Sequence, residues 1–280
     1  MKLALLILNL MIVTSCVPTK TTDATTTSGK INASAPYLWS QASFPRTLKI
    51  SDQFLPDEVG NITAMSTIWE TSVENKKDFF NQAAGTTPEI SSPTLNMDRL
   101  GDDGVEGVYK IVNWPLTLPG SALAVTQIFG RRFNIGSSSE YVRIEHADIL
   151  VNEHFYNFRT TNAHVSNSFD LRTVILHELG HYLGLNHKYG DTVMIPSIGE
   201  YSNNRAPTNI DMAEMAGKYN ISLGSGVGIA MVAQNVQQQY VPMNNDQGKK
   251  IKILIELMAD GECVHKENGA VIQRHSAHIK

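Results

Sequence analysis

The chain has 280 residues, 42% of them hydrophobic and 18% charged, with a formal net charge of −4. That is ordinary globular composition, ample for one sizeable core with appendages. Basic residues cluster no further than pairs such as Arg131-Arg132 and Lys249-Lys250, so no nucleic-acid partner is expected.

Lys2 precedes an apolar run, Leu3 to Val13, broken only by Asn9. The run is shorter than the about 20 residues a membrane-spanning helix needs, and it suits the core of a secretory signal. It ends in Val13-Thr14-Ser15-Cys16, which resembles a bacterial lipobox, whose cysteine is lipidated and becomes N-terminal after cleavage. Residues 1–16 are therefore expected to be a lipoprotein-type signal with Cys16 as the lipidation site; a plain secretory signal is the alternative. If Cys16 carries lipid, Cys263 has no intrachain partner, and no disulfide framework is expected. Residues 17–36 are rich in Thr and Ser, cannot bury enough apolar area to offset the entropy of ordering, and read as a flexible tether.

Order is expected from Tyr37 onward. Thr47 to Ile50 alternates like a first strand. A helix is predicted from Pro56 to Val73: Pro56 suits the first helical position, and Asp57 and Glu58 favour the first turn. Val59, Ile62, Met65, Trp69 and Val73 recur at helical spacing as its buried stripe. Residues 75–96 are polar and loop-like. Strands are predicted in the second half of Gly104–Trp114, at Ser121–Phe129 and at Tyr141–Asn152. Residues 153–168 read as a surface loop, and Asp170 as the cap of a helix starting near Leu171. Leu171, Ile175, Leu179 and Leu183 give that helix its core-facing stripe. A short helix, Asn209 to Tyr219, has Ile210, Met212, Met215 and Ala216 as its apolar positions. Residues 223–280, with the apolar run Ile251 to Met258, form an extension without an assigned role, either a small β addition or a partly disordered tail.

The chemistry concentrates in His177 to His187, HELGHYLGLNH. Positions i and i+4 share one helix face, so His177 and His181 can converge on one point with Glu178 beside it. Gly184 can end the helix in a left-handed turn and swing His187 back as a third nitrogen. Three neutral imidazoles suit Zn²⁺ and leave a fourth position for water, whose proton Glu178 could take. His146, His154 and His164 match no ordinary metal-site spacing and read as loop or strand histidines. His265, His275 and His278 receive no role.

HELGHYLGLNH with Met194 downstream carries the metzincin signature, and Val193-Met194-Ile195-Pro196 resembles the matrixin Met-turn. The chain is similar to the matrixin-like branch of the metzincin zinc endopeptidases, over about Tyr37 to Tyr219. Ser121 to Ala124 resembles the family's edge strand, along which an extended substrate pairs, and Ala147 to Ile149 a neighbouring strand. The resemblance implies an α+β, zincin-like catalytic domain over residues 37–222: a twisted mixed five-stranded sheet, two long helices, and a small C-terminal subdomain after the third ligand. It implies that His177, His181 and His187 ligate one catalytic zinc, and that Glu178 is general base and then proton donor to the leaving amine. Met194 would form a hydrophobic floor. Substrate would run along Leu123 and Ala124, with a pocket walled by the helix at His177 and by Ile195, Pro196 and Ser197.

The implied activity is zinc-dependent hydrolysis of peptide bonds in extracytoplasmic proteins or peptides, by a monomer lipid-anchored to a bacterial membrane or, alternatively, secreted. A non-catalytic zinc-containing surface binder and a cell-wall peptide hydrolase are the rival readings. Lys188 stands where matrixins usually have Ser, and Pro196 where astacin-like and serralysin-like members place a Tyr. No structural calcium site is evident. Only Cys16 lies upstream of the histidine motif, with the wrong neighbours for a matrixin cysteine switch, so latency by that route is not expected.

Overall fold

The structure is a computed structural model that describes residues 31–81, 104–224, 240–243, 245–260 and 262–275. Residues 1–30, with Cys16 and most of the predicted tether, lie outside the described residues, as do residues 82–96 of the predicted polar loop and His278. Among the described residues no helix is long and apolar enough to cross a membrane.

The fold is α+β. Its elements in order are β1 (Tyr37–Trp39), β2 (Lys49–Ile50), α1 (Pro56–Ser72), β3 (Gly107–Ile111), β4 (Ala122–Phe133) and β5 (Tyr141–Asn152). There follow β6 (Asn157–Arg159), β7 (Ser168–Asp170), α2 (Leu171–Tyr182), α3 (Asn209–Tyr219), β8 (Lys249–Met258), β9 (Cys263–Glu267) and β10 (Ala270–His275). The main sheet runs β10-β9-β8-β4-β5-β3-β2, and β1 also pairs with β5. Strands β1, β2, β3 and β5 are parallel, and β4 runs antiparallel to β5. A mixed five-stranded sheet is therefore present, and residues 249–275 enlarge it by three antiparallel strands across the outer edge of β4.

The predicted helices appear close to their expected bounds, but their burial differs in ways the packing explains. In α1, Val59 is only half-buried while Glu58 is buried. The Glu58 carboxylate accepts the Leu55 backbone N–H at 2.7 Å and pairs with Lys110 at 2.9 Å, so a charge can sit there. In α2, burial is not confined to a stripe. Its residues from Thr173 to Tyr182 are buried on every face, because the helix lies between the sheet, α1 and the turn that follows it. The Trp69 indole donates to the Leu176 carbonyl at 3.0 Å and fastens α1 to α2. In α3, Ile210 is 43% exposed and Asp211 turns inward instead. The predicted loop at 153–168 contains β6, paired in parallel with β7.

Candidate active site

Asp170 fixes where α2 begins. Its Oδ1 accepts the Thr173 N–H and hydroxyl, both at 2.9 Å, and Arg205 neutralises the carboxylate. That start sets the helical register, which places His177 and His181 on one face. After Leu183 the chain turns sharply at Gly184, whose φ is +89°. A Cβ there would lie 2.3 Å from the Tyr37 carbonyl oxygen, so only glycine fits. The turn returns His187 to the helix face. Its Nε2 lies 3.1 Å from Nε2 of His177 and 3.0 Å from Nε2 of His181.

The other nitrogen of each ring is already engaged. Nδ1 of His177 donates to the Val193 carbonyl and Nδ1 of His181 to the Leu185 carbonyl, each at 2.7 Å. Nδ1 of His187 lies 2.9 Å from Nε2 of His265. With the proton on Nδ1 in each ring, three Nε2 lone pairs point at one another across about 3 Å. Burial keeps the rings neutral. It lowers His177 to about 4 and drives His181 and His187 well below the usual histidine range, with help from neighbouring imidazoles. Three converged lone pairs repel unless a cation lies among them, and an all-imidazole donor set of this kind suits Zn²⁺.

Met194 is fully buried beneath α2. Gly180 makes room for it: a Cβ at that position would be 2.4 Å from the Met194 sulfur. Glu178 is also fully buried. Its Oε2 accepts the Thr126 hydroxyl of β4, and its Oε1 has no hydrogen-bond partner among the described residues. Burial pushes this carboxyl up to about 8, against the opposing pull of the Thr126 hydrogen bond. A carboxyl so poised can both accept and return a proton near neutrality.

One supporting residue is absent from the sequence reading. Asp211, 1% exposed, accepts the N–H groups of Val193 at 3.0 Å and Thr208 at 2.8 Å, and its other oxygen takes the Thr192 hydroxyl. The Thr192 hydroxyl oxygen in turn accepts the Met194 N–H at 3.0 Å. The carboxylate at the start of α3 thereby fixes the segment whose carbonyl orients His177. Thr208 and Asp211 have capping-box spacing, which announces a helix start but not this second duty. Asp211→Asn should weaken zinc binding about 10-fold or more, as loss of a ligand-orienting partner does. Competition titration against a chelating dye measures it, and an unchanged zinc affinity would remove Asp211 from the site.

Leu123 and Ala124 lie fully buried in β4, whose outer edge is covered by β8. Ile195 is half-buried, Pro196 is buried, and both precede Ile198 on the opposite wall. The tail histidines require a correction. His265 and His275, to which the sequence assigned nothing, lie against the third ligand: the His187 and His275 ring centroids are 5.1 Å apart. Cys263 is a buried free thiol with Sγ 3.4 Å from Nδ1 of His187, and burial pushes it up. These groups arrive by the pairing of β8 with β4, which no local spacing encodes. By contrast, His146 pairs with Asp148, His154 with the Val112 carbonyl, and His164 stacks on Tyr201, so these three do not meet.

Residues 96–220 match the model of the family described as Matrixin. The match contains α2, the turn at Gly184, His187 and Met194, and stops short of β8–β10. No curated protein matches the chain.

Proposed function

We propose that the protein is a matrixin-like metzincin, a zinc-dependent endopeptidase acting on extracytoplasmic proteins or peptides, a reading supported by the match of residues 96–220 to the family described as Matrixin. The observation that carries this reading is the convergence of three imidazole Nε2 atoms, with the buried carboxyl of Glu178 on the residue next to the first of those histidines in α2. A purely structural metal site has no use for that carboxyl. His177, His181 and His187 would hold the zinc, which would supply Lewis acidity toward a carbonyl oxygen and toward water. Glu178 takes the proton of the attacking water and returns it to the leaving amine. Thr126 holds the Glu178 carboxyl in place for both transfers.

An extended peptide would bind by strand-type hydrogen bonds along Leu123 and Ala124, opposite Ile195 and Pro196. Its side chain beside the metal would be received among the apolar side chains of Leu123, Val174 and Ile198, which cluster in the core. Cleavage of casein, with peptidoglycan fragments run alongside, tests the reading. Turnover of the fragments alone would reassign the substrate to cell-wall crosslinks. The proposed anchor has its own test. Cys16→Ser should move the protein from the membrane pellet to the soluble fraction, and unchanged fractionation would rule the lipid out.

A further inference from the structure

A peptidase must admit a peptide to its metal, yet here the three ligands are at most 6% exposed and Glu178 is fully buried. The cover comes from residues 249–275. Strand β8 pairs antiparallel with β4 from Ala122↔Met258 to Arg132↔Lys249, along the edge where substrate is proposed to bind. On its other side, the Met258 N–H donates to the Pro196 carbonyl at 3.1 Å, and the Ile198 N–H to the Met258 carbonyl at 3.0 Å, in a parallel bridge. The end of β8 therefore lies as an extended strand between both proposed walls of the cleft. Leu257, fully buried, clusters with Leu123, Ala124, Val174 and Ile198, the place proposed above for a substrate side chain. Strand β9 then brings Cys263 and His265 against His187. Glu267 locks that strand down through Arg132 of β4, at 3.1 Å.

We propose that β8–β10 is a built-in inhibitor of this chain, with Glu256–Met258 lying in the cleft in place of an extended peptide substrate. The inference rests on the peptidase reading and adds its regulation: the cleft opens only when β8 leaves β4. The cover reaches the site from downstream, whereas a cysteine switch of the kind considered above lies upstream.

The test uses the full chain loaded with zinc and a peptide hydroxamate, a zinc-chelating probe whose binding requires an open cleft but no turnover. Leu257→Asp puts a charge in that apolar cluster, and Met258→Pro deletes the N–H that reaches Pro196. Both should tighten probe binding roughly ten-fold or more by depopulating the closed state. A third variant leaves the core intact: Arg131→Cys with Lys250→Cys, at directly opposed positions on β4 and β8. Oxidising that pair should slow probe association, and reduction should restore it. Equal probe binding by native chain and release variants, or equal rates for the oxidised and reduced pair, would overturn the proposal. Casein cleavage is scored separately. Tighter probe binding without cleavage would leave the cover standing and sink the peptidase reading; cleavage with unchanged probe binding would do the reverse.

Discussion

Glu178→Ala should lower kcat/KM for peptide cleavage about 10²- to 10⁴-fold, the range for removing a positioned acid–base group, with zinc content unchanged. The separation of the two readouts follows from geometry. The Glu178 carboxyl approaches Thr126, whereas the three Nε2 atoms converge on one another and are oriented by Val193, Leu185 and His265. Nothing in that orientation passes through the Glu178 side chain. Thr126 also keeps a partner in the variant, because its hydroxyl lies 3.2 Å from the Glu178 backbone carbonyl. The substitution removes a carboxyl held in a fully buried position with one oxygen unpaired, which is costly to keep. Thermal stability should therefore hold or rise while activity falls. Loss of zinc together with activity would make Glu178 a structural element of the metal centre and contradict the assigned role.

Metal removal should have the second large effect, and it should depend on pH. With zinc in thousandfold excess over its Kd, binding stabilises the fold by about 4 kcal/mol, and a chelator removes that. The metal-free chain then carries His177 with a folded pKa near 4 against an unfolded value of 6.5, a depression caused first by burial. Because the unfolded chain binds the proton more readily, stability is full above pH 6.5 and falls as pH drops toward 4. At pH 5 the loss from His177 alone is on the order of 2 kcal/mol. His181 and His187 are shifted in the same direction and add to it. Urea titrations of the chelated protein at pH 7.5 and pH 5 measure this. Equal midpoints would mean that the imidazoles are not buried neutral. The zinc-loaded protein should lose metal over the same acid range, since protons compete for Nε2.

The parts legible in the sequence are those set locally. Asp170 caps α2, the i, i+4 spacing places His177 and His181, and Gly184 supplies the turn that only glycine can make against Tyr37. Strand β5 runs over Tyr141–Asn152, the bounds expected of it. What stayed hidden depends on partners distant in sequence. Ile251, Ile253 and Ile255 face the core around α2, while Leu254 and Met258 face the other side, so β8 is apolar on both faces and announces no partner. Cys263, His265 and Glu267 alternate along β9 and are all buried, which is strand periodicity written in polar residues. Hydrophobic patterning passes over such a strand, because the burial of Glu267 and His265 is supported by Arg132 and His187. Asp211 escaped for a related reason: its capping position is local, and its hold on Val193 is not.

Peptide-bond cleavage by the zinc-loaded full chain, native and with the cleft released by Leu257→Asp, each with and without Glu178→Ala, is the most direct test of a zinc endopeptidase at His177, His181 and His187. The expected result is cleavage of an unstructured protein substrate that rises on release, stops with a chelator, and stops with Glu178→Ala while zinc remains bound. Cleavage that survives Glu178→Ala, or a released, zinc-bound cleft that cleaves nothing, would contradict it.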